Sequence, residues 1–149
     1  MHERYSQDPK YFSHKFHQAG LSYELGVSLF TNQLVWVNDP FPAGHSNMKI
    51  YQNNLLGLIP DGKKVIADRG YRGEPQVVSL PNNLDDPVVK KFKSRARCRQ
   101  ETFNARLKNF AVLANCFQHN NHEKHKAVFE AICVVCQFQL ENGHPLFDA

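Results

Sequence analysis

A chain of 149 residues and 17.1 kDa is long enough for one domain. Hydrophobic residues at 42% and charged residues at 21% exclude a largely disordered chain, a collagen-like chain and a coiled-coil rod. The net charge of +4 is uneven: from Val88 to Lys108 eight Lys and Arg face one acid, Glu101, whereas the rest carries ten bases against thirteen acids.

The first nine residues have no apolar core and read as no secretion signal. The longest apolar run, Ala131 to Cys136, is six residues, and a membrane helix needs about 20. Four cysteines without a secretion signal read as free thiols in a reducing compartment. Asp8-Pro9 marks a turn. Leu21 to Phe30, with partial alternation, predicts a strand, and Gln33 to Asn38 its hairpin partner across Thr31-Asn32. Asp39 to Gly44 reads as a loop on Pro and Gly grounds. Ser46 or Asn47 caps a helix predicted to run to about Ile59, with Tyr51, Leu55, Leu58 and Ile59 on one face. Lys64 to Asp68 reads as a short buried strand, Arg69 to Gly73 as a turn, and Gln76 to Leu80 as another short strand.

Asp85 or Asp86 caps a long basic helix that has Pro87 at its first position. Phe92, Ala96, Phe103, Leu107 and Phe110 form its apolar stripe. Glu101, Arg97, Asn104 and Lys108 point the other way. A last helix is predicted from His122 to Glu141, ended by Asn142-Gly143. Phe129, Ile132, Cys133, Cys136 and Leu140 make one face of it. Val128, Val134, Val135 and Phe138 make it apolar almost all round, which predicts a buried helix. The order of elements is mixed α/β, with no alternation long enough for a doubly wound sheet.

Four groups of residues could carry chemistry. Asp68 ends a strand before a Gly turn, where α/β folds place reacting groups; the plainer alternative is an Asp bonded to its own turn amides. Glu101 is the sole acid of the basic helix. It is either an i,i+4 ion pair with Arg97 or, with Asp68, a ligand for a divalent cation. Cys116, His119, His122 and His125 with Cys133-x-x-Cys136 have zinc-type donors, but Cys133 and Cys136 sit where a thiol is an ordinary core residue. His45, in the stiff loop from Phe41 to Asn47, is a weak candidate for a general base. The basic helix itself has the footprint of a polyanion binder, with half its positive charge on arginine.

Taken together, Tyr11-Phe12-Ser13-His14-Lys15, Gly20 to Val27, Val35 to Gly44, Ala67-Asp68-Arg69-Gly70-Tyr71 and Arg95 to Lys108 resemble the DDE-type transposase nucleases, specifically the DDE superfamily endonuclease domain related to PIF/Harbinger elements. The resemblance spans nearly the whole chain, and Pro145-Leu146-Phe147 adds to it. It implies a single domain over residues 1–149 with a ribonuclease-H-like mixed sheet flanked by helices. It also implies DNA as partner and two Mg²⁺ or Mn²⁺ ions held by two Asp and one Glu. Asp68 matches the second acid and Glu101 the third. The first belongs to an Asp-Gly-Thr strand motif with no counterpart here. The expectation is a domain lacking its first strand, with weak metal binding and little cutting by this chain alone. The sheet would then have an open edge or room for a partner strand.

Lys90, Lys91, Lys93, Arg95, Arg97 and Arg99 are the expected phosphate contacts. A non-catalytic DNA-binding or protein-interaction protein derived from a transposase, with a protein partner or a homodimer, is the alternative. The resemblance implies a nuclear address in a eukaryote and a cytoplasmic one otherwise, and no membrane association.

Overall fold

The structure is a computed structural model and describes residues 8–15, 17–71, 73–79, 81–115 and 121–148. Its strands are short and pair two by two. β1 (Phe12–Ser13) pairs antiparallel with β2 (Gln18–Ala19). β3 (Leu21–Ser22) pairs with β6 (Phe41–Pro42), and β4 (Leu25–Val27) with β5 (Leu34–Val37), both antiparallel. β7 (Val65–Ala67) and β8 (Val77–Ser79) are parallel, with Ala67 opposite Ser79. The helices are α1 (Asn47–Asn53), α2 (Pro87–Lys108), α3 (Ala111–Ala114) and α4 (His122–Glu141). The class is mixed α/β, as the element order predicts.

The two long helices begin and end where their caps dictate. The Asp86 carboxylate accepts the Val88 N–H at 2.9 Å, and Pro87 loses nothing at a position whose N–H has no helical partner. Asn121 accepts the Lys124 N–H at 3.1 Å to start α4. Gly143, at φ 94°, ends α4, and the His144 N–H reaches back to the Gln139 carbonyl at 3.0 Å. A side chain at Gly143 would strain that left-handed turn.

Phe103 and Leu107 of α2 meet Phe129, Ile132, Cys133, Cys136 and Leu140 of α4 in one core, closed by Leu146 from the C-terminal tail. Tyr23, Leu25, Val27 and Leu34 of the β4–β5 region pack against it. Phe103 is fully buried. Deleting a ring so enclosed costs about 3–5 kcal/mol.

Four expectations need correction. The predicted strand from Leu21 to Phe30 is divided, because β3 and β4 take different partners. Phe41–Pro42, read as loop, is a strand; Pro42 has no N–H to lose, and the Ala43 N–H donates to the Gly20 carbonyl at 3.0 Å. α1 stops at Asn53 rather than near Ile59, because the Asn54 side chain donates to the Ile50 carbonyl at 2.7 Å and a 3-10 turn, Leu56–Leu58, follows. α4 is not buried all round. Its core-facing stripe is enclosed, but Val134 is 69% and Phe138 64% exposed, and Val135 is exposed too. No helix among the described residues is long and apolar enough to cross a membrane.

Candidate nucleic-acid and metal site

β7 delivers Asp68 at its C-terminal end, and the chain then turns through the 3-10 segment Arg69–Tyr71. The Gly70 N–H donates to Asp68 Oδ1 at 2.8 Å, and the Tyr71 N–H to the Asp68 carbonyl at 3.2 Å. The own-turn bond that competes with a functional reading is therefore made, but by one carboxylate oxygen. A β-carbon at Gly70 would lie 3.0 Å from that oxygen and 3.8 Å from Asn47 Nδ2. Only glycine leaves the turn this close, and Asn47, the first residue of α1, is brought to the same turn as Asp68. The Tyr71 ring holds the turn in place by meeting Tyr51 of α1 edge-on, with centroids 5.6 Å apart. Burial pushes the Tyr71 hydroxyl up to about 12, helped by the charges of Glu24, Asp68 and Tyr51. Glu24 is itself buried. One of its oxygens accepts the Trp36 indole N–H at 2.9 Å, and the other has no partner among the described residues.

α2 packs against both β4 and β7, the strand that ends at Asp68. Glu101 is exposed on α2 and accepts from Arg97 Nε at 2.7 Å, the i,i+4 pair its spacing predicts. That hydrogen bond raises the Arg97 pKa first; the charge of Glu101 adds to it, and the charge of Asp68 also contributes.

The remaining basic residues divide by helix face. At 100° per residue, Arg95, Arg99 and Arg106 fall on one line beside the apolar stripe. Arg99 is buried and donates to the carbonyls of Ser28 and Thr31 in the hairpin loop, to Asn32 Oδ1, and to the Phe147 carbonyl. Arg95 donates to the Asp148 carbonyl, and Arg106 to those of His144 and Pro145. Burial lowers the Arg99 pKa, opposed by the nearby Asp148. Lys93 is also buried and grips Asp85 at 2.9 Å. Of the six residues expected at phosphates, Lys93 and Arg99 are buried with their donors spent inside the protein, and Arg95, though exposed, spends its donors on the tail. Lys90, Lys91 and Arg97 are exposed on the helix surface, and Lys108 is exposed on the line of Lys90 and Arg97. The grip on the tail escaped the sequence reading, although the one-face spacing of Arg95, Arg99 and Arg106 was there to be read.

Cys116 and His119 lie outside the described residues. Cys133 and Cys136 are buried in the core, and burial pushes the Cys133 thiol up to about 12, the state of a core residue rather than a ready ligand. His125 Nδ1 and the Tyr23 hydroxyl share a hydrogen bond at 2.6 Å in a stacked pair, and burial lowers the His125 pKa. His45 is exposed on its loop.

Asn47 lies at the turn of Asp68, and Glu101 is held by Arg97. No group of three His, Cys, Asp or Glu able to hold a metal occurs among the described residues. Two carboxylates, one spent on its own turn and one on Arg97, fall short of the donor set of a two-metal centre. Members of the matching family normally use divalent metals. No curated protein and no solved structure matches the chain. The family model described as DDE superfamily endonuclease matches residues 2–137, and the strand-end Asp, the Gly turn and the Arg-Glu helix all fall within that span. The chain belongs to the DDE superfamily endonucleases.

Proposed function

We propose that this chain is a transposase-derived DNA-binding domain of the PIF/Harbinger type, built to present Asp68 and Glu101 to a phosphodiester, which cuts little or no DNA by itself. What supports the reading is the endonuclease family match over residues 2–137, which spans the strand-end Asp68 with its Gly70 turn and the Arg97–Glu101 pair of the basic helix. The exposed line of Lys90, Arg97 and Lys108 would take the DNA backbone, arginine through a bidentate contact and lysine as a point charge. Asp68 and Glu101 would bind Mg²⁺ or Mn²⁺ weakly, because affinity follows the number and charge of the ligands. The family's Asp-Gly-Thr motif, which carries the first of its three acids, does not occur in the sequence. A nuclear address in a eukaryotic host follows from this reading.

The test is one assay with two readouts. The purified chain should shift a DNA duplex in a salt-sensitive way, yet leave a supercoiled plasmid almost unnicked in millimolar Mg²⁺ or Mn²⁺. Metal-dependent nicking that disappears in Asp68→Ala would show a complete catalytic centre and overturn the second half of the proposal. Absence of any DNA binding at low salt would overturn the first.

A further inference from the structure

α4 has two apolar stripes, and the core uses one. At 100° per residue Phe129, Ile132, Cys133, Cys136 and Leu140 cluster on one side of the helix. They are the buried residues of α4. Directly opposite lie Ala127, Ala131, Val134 and Phe138, all exposed, at alternating steps of four and three. That spacing is the seam of a helix–helix contact rather than the scatter of single exposed apolar residues. The seam continues to a base at one end and an acid at the other, Lys124 and Glu141, both exposed.

We infer that this outer face of α4 is a self-association surface, and that its occupant is α4 of a second copy of this chain, running antiparallel. The argument is complementarity. When Ala131 is set against Val134 of the second copy, the same register puts Phe138 over Ala127, the largest side chain of the seam over a small one. It also puts Lys124 against Glu141. A two-fold axis repeats each pairing, so both ends of the seam carry an opposite-charge pair and neither end leaves a large side chain facing another. The antiparallel arrangement sets each helix's positive N-terminal end beside the other's negative C-terminal end. A parallel pairing would instead stack Phe138 on Phe138 and Lys124 on Lys124. One flank of α4 is committed elsewhere: Lys126 pairs with Asp39, and Gln137 binds the β5 backbone at Leu34, the loop carbonyl of Asn32 and, at 2.6 Å, Glu141 Oε1, which leaves the second Glu141 oxygen for Lys124 of the other copy. The inference is independent of the DNA-binding proposal.

One helix pair is smaller than a standard interface, so the expected dissociation constant is on the order of 1–100 μM. Sedimentation equilibrium of the full chain across that range should show the mass rising from 17.1 kDa to twice that value. Phe138→Glu should weaken association by at least roughly 30-fold, as expected for a buried aromatic anchor. Its far-UV spectrum and melting temperature should match the parent, because the side chain is exposed in the monomer. The charge pair fixes the register. Lys124→Glu alone should weaken the dimer, and Lys124→Glu combined with Glu141→Lys should restore it. A chain that stays monomeric throughout overturns the inference. So does a dimer indifferent to Phe138→Glu, which would place the interface elsewhere. A dimer broken by Phe138→Glu but not rescued by the charge swap overturns the antiparallel register.

Discussion

Arg95, Arg99 and Arg106 on one side of α2 donate to backbone carbonyls of the hairpin loop and the C-terminal tail, whereas Arg97 on the other side is exposed and holds Glu101. All four share a helix, a residue type and a short stretch of sequence. Their difference comes from angle alone. A guanidinium beside the apolar stripe meets other parts of the protein, and its five donors suit the carbonyls that a short loop and a tail leave unpaired. A guanidinium on the outer side meets Glu101 of its own helix and water. Positive charge density along a sequence therefore measures two things at once: charge available to a polyanion and charge already used to hold the fold. In this chain half of the residues expected at phosphates belong to the second kind.

The sharpest way to break this division is at Arg99. Arg99→Ala removes a buried charge and strands the carbonyls of Ser28, Thr31 and Phe147, which should cost about 3–5 kcal/mol in urea unfolding. Arg97→Ala, in an exposed i,i+4 pair, should cost no more than about 0.5 kcal/mol. Equal losses from the two would erase the distinction. DNA binding should sort them in the opposite order. Replacing Lys90, Arg97 and Lys108 together by alanine should lower the slope of log K against log salt by about 2–3, at about 0.9 for each phosphate no longer neutralised. An unchanged slope would move the phosphate face off α2.

A smaller effect comes from the buried lysine near the start of α2. The Lys93 ammonium holds the Asp85 carboxyl below its ordinary value, with help from the Asn82 N–H. A carboxylate depressed in the folded state stabilises above its unfolded pKa, and that stability is lost as pH falls through the folded value. The parent should therefore lose stability on acidification below about pH 4, near the ordinary aspartate value, and Asp85→Asn should lose less over the same range. Chemical denaturation at stepped pH measures both.

Much of the site could be read before any coordinates. Asp85 or Asp86 with Pro87 marks the start of the basic helix and Asn142-Gly143 the end of the last one, because caps satisfy the end groups that a helix cannot satisfy itself. The end of β7 at Asp68 followed from an apolar run meeting a Gly turn. Other features depend on partners far along the chain. Nothing near Leu21 says that it will pair with Pro42 while Leu25 pairs with Val37, and nothing near Asn47 says that its side chain will share a turn with Asp68. The helix that includes Asn54 ends early through a local side-chain bond, which competes with an apolar pattern that would have carried it further.

From its residues alone this chain declares α/β content, a basic helix with one acid, a strand-end aspartate and a resemblance to DDE endonucleases, since periodicity, caps and motifs are short-range properties. Which arginines remain available to a ligand, and which apolar face of α4 the core leaves uncovered, were decided only by the tertiary packing. The reason is geometric: a helix offers every side chain a direction, and only the neighbours it meets determine whether that direction leads into protein or into water.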